Sequence, residues 1–198
     1  MFQTASGVTI PFPEKIKEEF QVYERRILFN LSFEKMESLV EEFISHLSEP
    51  LFFVFEMPLS QQEESALRKD VFHPFHKKIC YLDGQSKDQI KAIFYMYGDL
   101  LFNDGFARFA VYSHAAKDGI YIQKYKVISI YSDRPEKYLK FLKSYGLVQT
   151  DNLLTIWDTF SHEAPGEVQK IEINGMDIFN VYDAFVKMGM YVAKIVED

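Results

Sequence analysis

The chain of 198 residues contains one cysteine, Cys80, so it cannot form a disulfide within itself. Its cysteine content therefore gives no indication of an oxidising compartment. The apolar run at residues 51–55 is far shorter than the roughly 20 residues that a transmembrane helix needs. Residues 1–13 lack the basic and apolar segments of a signal peptide. We therefore expect a cytoplasmic protein with no membrane-spanning segment.

Glycine is also scarce, with nine residues in the whole chain, and no glycine-rich phosphate-binding loop of either common type is present. The motifs G-x-S-x-G, H-E-x-x-H and C-x-x-C are absent as well. The chain therefore lacks the common local signatures of nucleotide-binding proteins, serine hydrolases, zinc proteases and thiol oxidoreductases. We therefore predict no cofactor.

Basic residues are few in the first third of the chain. Residues 1–64 hold twelve acidic and five basic residues, whereas residues 65–198 hold seventeen of each, so the net charge of −7 arises entirely from the first part. An acidic protein lacks the lysine and arginine excess that releases counterions from a nucleic acid. This asymmetry predicts no nucleic-acid binding and favours a basic protein partner.

Apolar residues are abundant, at 47% of the chain, and include 19 phenylalanines and 12 tyrosines. A chain of this size and composition can bury a core without a metal or a disulfide. Apolar periodicity predicts strands at residues 22–31, 51–56, 77–82, 106–113, 120–131, 153–160, 168–173 and 190–196. Helices are predicted at residues 33–47, after the capping box Ser86/Gln89, from Asp133 to about Tyr145, and at residues 177–188, while residues 58–71 are predicted as a loop or a short exposed helix.

Neither a linker nor an internal repeat interrupts this series of elements. The turns at residues 103–105 and 117–119 indicate hairpins, and hairpins favour antiparallel pairing over a doubly wound parallel sheet. We therefore predict a single α+β domain over residues 1–198. Its sheet should be mixed or mostly antiparallel, with about four helices packed on it.

The predicted helix at residues 33–47 has an acidic face. Glu34, Glu37 and Glu41 recur at helical spacing, away from the apolar face of the same helix. Such a face is either a solvated surface or a recognition surface for a basic protein, because matched charge accelerates association and selects the partner. Tyr121 and Tyr125, on the predicted long strand, are candidate aromatic anchors for such a partner, or else cover the core.

A second pattern lies in residues 73–84, which contain the predicted strand 77–82 and hold two of the five histidines and the only cysteine. His76, Lys78 and Asp83 fit H-x-K-x4-D, which resembles the signature of the phospholipase D family of phosphodiesterases. The resemblance implies a nucleophilic histidine, a lysine that neutralises phosphate charge and a supporting aspartate. A strand would place His76 and Lys78 on one face.

His73, His76 and Cys80 are candidate zinc ligands, since imidazole and thiolate suit zinc. Their helical spacing conflicts with an extended segment, and no second ligand pair exists, so no metal site is predicted. The phospholipase D pattern lacks its following Gly-Ser-x-Asn segment, and the acidic charge would repel a phosphate substrate. We therefore favour a non-catalytic binding protein, comparable in size and acidity to bacterial immunity proteins that neutralise basic toxins. A phosphodiesterase is the alternative.

Overall fold

The computed structural model describes residues 2–70 and 72–198. The strands are β1 Val8–Thr9, β2 Glu19–Val22, β3 Arg26–Phe29, β4 Leu51–Pro58, β5 His76–Gln85, β6 Arg108–Ser113, β7 Asp118–Ile122, β8 Ile128–Tyr131, β9 Val148–Gln149, β10 Glu167–Val168 and β11 Tyr191–Glu197. The α-helices are α1 Phe33–Ser45, α2 Gln61–Leu67, α3 Lys87–Asn103, α4 Leu139–Ser144 and α5 Ile178–Lys187.

Nine of these strands form one sheet in the order β11-β5-β4-β6-β7-β8-β3-β2-β9. Neighbouring strands are antiparallel except for the pair β2 and β9 at one edge. Strands β1 and β10 form a separate two-stranded antiparallel sheet. The prediction of a single α+β domain with a mixed, mostly antiparallel sheet is confirmed, and the described residues form five α-helices where about four were expected.

The helices α1, α3 and α5 cover one face of the sheet because alternate strand residues point towards them. Phe53 of β4 and Phe109 of β6 stack with ring centroids 5.8 Å apart, and both rings also contact Phe94 of α3. Phe185 of α5 packs edge-on against Phe53, at 5.5 Å. The phenylalanine excess of the sequence therefore forms the helix-side core.

The opposite face of the sheet is covered over part of its width. Ile10 and Ile16 from the first segment and Ile156 pack there with Leu28 and Val127 in a second buried cluster. Over β4, β5 and β6 the same face carries a row of stacked rings instead. Phe52 lies between Tyr81 and Tyr112, at centroid distances of 6.0 and 5.4 Å, and the Tyr112 ring lies over Gly119.

Local capping fixes where two long helices begin. The side chain of Ser86 accepts from the backbone N–H of Gln89, and Gln89 in return accepts from the backbone N–H of Ser86, which confirms the predicted capping box. Asp177 caps α5 in the same reciprocal way with Asn180. Helix α3 follows β5 directly, so the Ser86 cap also sets where the chain leaves the main sheet.

The predicted single strand at residues 120–131 is wrong. Strand β7 ends at Ile122, and Tyr125 and Lys126 take left-handed conformations, with φ of 59° and 62°, before β8 begins. Nothing local signals this turn, because neither residue is a glycine or an asparagine. Lys126 is held there by distant partners, since its amine donates to the carbonyls of Leu101 and Ala107 at 3.0 and 2.8 Å.

Three other predicted strands also differ. Residues 22–31 belong to a hairpin of β2 and β3, because Phe20 to Val22 pair back onto residues 27–29. Residues 153–160 hold a 3₁₀ helix, Ile156–Thr159, whose apolar residues cover the second cluster rather than forming a ladder. Of residues 168–173, only Val168 lies in a strand, and its two-residue pairing with β1 ends there.

The segment 58–71, predicted as a loop or a short exposed helix, contains α2; Val71 itself lies outside the described residues. Within residues 2–70 and 72–198, no helix is both long enough and apolar enough to cross a membrane.

Candidate functional site

The acidic residues predicted on the first helix lie on one side of α1, and Glu37 on this side contacts α3. Glu34 and Glu37 are exposed and Glu41 is half-buried. The two helices run antiparallel, because Lys87 at the start of α3 donates to the carbonyl of Ser45 at the end of α1. The carboxylate of Glu37 lies directly over Gly98 of α3, where a Cβ atom would come within 2.9 Å of its Oε1. The acidic side of α1 therefore continues onto α3.

The continuation is Asp99, the residue after Gly98. Burial against α3, followed by the negative charges of Glu41 and Asp99, raises the pKa of Glu37. In the part of the chain that the structure describes, none of Glu34, Glu37, Glu41 and Asp99 forms an ion pair. We call these four residues the acidic surface. The charges of Glu37, Glu41 and Asp99 repel one another, and no ion pair of the described residues neutralises any of them.

A large aromatic side chain accompanies the acidic surface. Tyr95 of α3 is 92% exposed and lies one turn before Asp99 on the same side of the helix. Met96 beside it is half-exposed. Sequence reasoning did not single out Tyr95 or Asp99. Their spacing on the polar side of α3 was visible in the sequence, but the packing of α3 against α1 was not.

His76 and Lys78 lie on one face of β5, and both side chains are engaged by α2. Nδ1 of His76 is 3.2 Å from Oε2 of Glu64, whose other oxygen accepts from the His76 backbone N–H at 2.5 Å. Lys78 is buried and donates to both carboxylate oxygens of Glu63, at 2.9 and 3.1 Å. Although burial alone would raise it, this hydrogen bond from Lys78 holds the pKa of Glu63 below its usual range. The side chains of His76 and Lys78 are thus both paired with glutamates of α2.

Asp83, the third residue of the phospholipase D pattern, does not lie near His76 and Lys78. It lies on the opposite face of β5, about 20 Å along the strand from His76 at the usual rise per residue. Its Oδ2 accepts from the hydroxyl of Tyr191, at 2.8 Å. The exposed Asp83 carboxylate therefore pairs with the neighbouring strand β11 rather than with His76 and Lys78.

Cys80 points into the helix-side core and is fully buried. Burial raises the pKa of its thiol to about 11, which disfavours the thiolate that a metal would require. His73 lies outside this core and pairs with Asp70, at 3.0 Å. Across the described residues, no cluster of three or more His, Cys, Asp or Glu side chains could hold a metal ion.

The two tyrosines proposed as aromatic anchors have internal partners. The hydroxyl of Tyr121 donates to Oε1 of Glu56 at 2.8 Å, on the sheet face away from the helices. The hydroxyl of Tyr125 donates to the carbonyl of Gly166, and its ring packs edge-on against Phe160. Tyr125 thus joins the cover of the second buried cluster, while Tyr121 supports a buried carboxylate.

A groove of about 810 Å³ opens between α2, the start of α5 and the ends of β4, β5 and β6. Leu59, Phe75, Phe106 and Phe179 supply its apolar walls. Its polar and charged lining includes Glu64, His76, Lys124, Lys170 and Asp198. Its volume falls within the range of small-molecule sites.

Comparisons with known proteins find no matching family model, no matching curated protein and no matching solved structure.

Proposed function

We propose that this chain is a non-catalytic binding protein of the cytoplasm that holds a basic protein partner on its acidic surface. The observation that carries the proposal is the accumulation of Glu34, Glu37, Glu41 and Asp99 on two adjacent helices, where none of them forms an ion pair with another described residue. A folded protein with self-repelling surface charge gains stability when a partner of opposite charge neutralises it.

The chemistry of the partner follows from the surface. Carboxylates of this kind pair best with arginine and lysine, and arginine forms two parallel hydrogen bonds to one carboxylate. Tyr95, almost fully exposed beside Asp99, offers a flat ring for an arginine or an apolar side chain of the partner. An immunity-type protein that neutralises a basic toxin would use such a surface.

The proposal is tested by capture of partners with the immobilised protein and a charge-reversed variant. Changing Glu34, Glu37 and Glu41 to lysine should abolish capture of basic proteins, because the attraction becomes repulsion. The matched control changes Glu24, Glu136 and Glu163 to lysine. These residues are also exposed and in no ion pair of the described chain, so the control has the same net charge with the acidic surface intact.

Capture by wild type and by the control, together with loss in the surface variant, supports the proposal. Equal capture by both variants, or equal loss in both, contradicts it, because either result shows that total charge or another surface selects the partner. Circular dichroism of the three proteins checks that each remains folded.

A further inference from the structure

Three basic side chains from separate parts of the chain surround the carboxylate of Asp198. Nη2 of Arg108 lies 2.7 Å from Oδ1 and 2.9 Å from Oδ2 of Asp198. Nζ of Lys124 lies 3.2 Å from Oδ2, and Nζ of Lys77 lies 3.9 Å from Oδ1. We call Lys77, Arg108 and Lys124 the cation cluster. Asp198 follows β11, and its backbone N–H donates to the carbonyl of Phe75.

The cation cluster carries more positive charge than its surroundings balance. Glu56 is the second carboxylate there, and it is already bonded to Lys77 at 2.7 Å and to the Tyr121 hydroxyl. Three cations therefore face two carboxylates, and two positive charges remain in excess when Asp198 is set aside. The Arg108 side chain is only 9% exposed, and its Nε has no hydrogen-bond partner among the described residues. A buried guanidinium with an unused N–H can donate a further hydrogen bond to a ligand.

The cation cluster adjoins the groove described above. Lys124 and Asp198 belong to its lining, while Phe106 and Asp198 are shared with a small cavity of about 10 Å³ that also contacts Arg108 and Lys77. Phe106, an apolar residue of the groove, therefore lies beside this charged end. The groove thus combines an anion-binding end with a hydrophobic body, which is the usual composition of a site for a small organic ligand.

We propose that the cation cluster and the groove form a binding site for an organic anion with a carboxylate or phosphate head and an apolar body. Asp198 occupies the head-group position in the free protein, and the ligand displaces it. Arginine recognises both head groups through charge-assisted hydrogen bonds like the one that Nη2 of Arg108 donates to Asp198. Displacement moves the residue that follows the edge strand β11 and leaves the sheet pairing intact.

The test measures binding of phenyl phosphate, benzoate and inorganic phosphate to the wild type and to Asp198→Asn. Amide chemical shifts in a ¹⁵N-labelled protein report affinity and location together. Removing the internal competitor should tighten binding of phenyl phosphate by about tenfold or more, the range of one charge-assisted hydrogen bond. Lys124→Gln should weaken it by about tenfold. Lys117→Gln, a change at an exposed lysine paired with Asp133, is the matched control and should leave affinity unchanged.

The proposal is supported if phenyl phosphate causes saturable shifts at Arg108 and Phe106, if Asp198→Asn increases the affinity, and if Lys124→Gln decreases it. Preference between phenyl phosphate and benzoate then identifies the head group. Equal affinity for inorganic phosphate and phenyl phosphate would overturn the role of the apolar walls. Binding confined to Asp198→Asn, with none by the wild type, would make Asp198 a permanent structural partner and overturn the site. If Asp198→Asn does not fold, the comparison of Lys124→Gln with the wild type decides alone.

Discussion

Replacing Lys126 with methionine removes a positive charge that the fold encloses. The residue is 4% exposed, and its amine donates to the carbonyls of Leu101 and Ala107. Burial lowers the pKa of Lys126 from 10.5 to about 7, although the nearby Asp104 carboxylate acts in the opposite direction. The folded protein therefore binds this proton far more weakly than the unfolded chain does.

The sign of the pH dependence follows from that difference. Between pH 7 and pH 10.5 the unfolded chain keeps the Lys126 proton and the folded protein loses it. The free energy of unfolding then rises with pH, because stability increases wherever the unfolded state binds more protons. In Lys126→Met this contribution is absent, and the other titrating groups are common to both proteins. The stability of the wild type relative to the variant should therefore increase as the pH rises.

The size of the effect can be worked out for an interval that a folded protein tolerates. One pKa unit corresponds to about 1.4 kcal/mol, and the amine is about half deprotonated at pH 7 when its pKa is near 7. Between pH 7 and pH 9 the free energy of unfolding of the wild type should gain about 2 kcal/mol over the variant. For a chain of this length the gain corresponds to about 4–8 °C in melting temperature.

Urea unfolding at pH 7, 8 and 9, followed by far-ultraviolet circular dichroism, measures the difference directly. The absolute effect of Lys126→Met at one pH is not diagnostic, because the variant also loses two hydrogen bonds to buried carbonyls. The quantity to compare is the free energy of unfolding of the wild type minus that of Lys126→Met. If this value stays constant or falls from pH 7 to pH 9, the enclosed-charge reasoning is refuted.

Two further predictions rest on other contacts. Gly119→Ala should lower the free energy of unfolding by about 1–3 kcal/mol, because the new Cβ would collide with the Tyr112 ring. In a Tyr112→Ala background the same change should have almost no effect. If denaturant unfolding gives an equal cost in both backgrounds, the ring is not the cause. Wild type and His76→Ala should be equally inactive towards bis(p-nitrophenyl) phosphate, because Glu63 and Glu64 engage Lys78 and His76 while Asp83 lies on the other face of β5. Hydrolysis by the wild type that disappears in His76→Ala would instead establish the phosphodiesterase alternative.

Helices and their starts were predictable because their signals are local. Ser86 and Gln89 are three residues apart and form the capping box that their types suggest. The turn at Tyr125 and Lys126 was not predictable, because it depends on carbonyls of residues that lie 25 and 19 positions earlier in the chain. The apolar pattern around this turn continues as if one strand ran through it.

The candidate sites likewise contain some residues that local spacing predicts and others that meet only through tertiary packing. The spacing of Glu34, Glu37 and Glu41 already placed them on one side of a helix, whereas Asp99 joins them only through the packing of α3 on α1. The cation cluster had no sequence signal, since Arg108 and Asp198 are 90 residues apart and meet through the sheet order. Periodicity reports a shared face within one element, and not which elements become neighbours.

Carboxylate footprinting of the complex is the most direct test of the acidic surface. A captured basic partner is mixed with the wild type, exposed carboxylates are labelled with a carbodiimide and an amine, and labelling is read by mass spectrometry. Binding should protect Glu34, Glu37, Glu41 and Asp99, while Glu24, Glu136 and Glu163 stay labelled as in the free protein. Unchanged labelling of the acidic surface in a saturated complex would contradict the account and place the partner elsewhere.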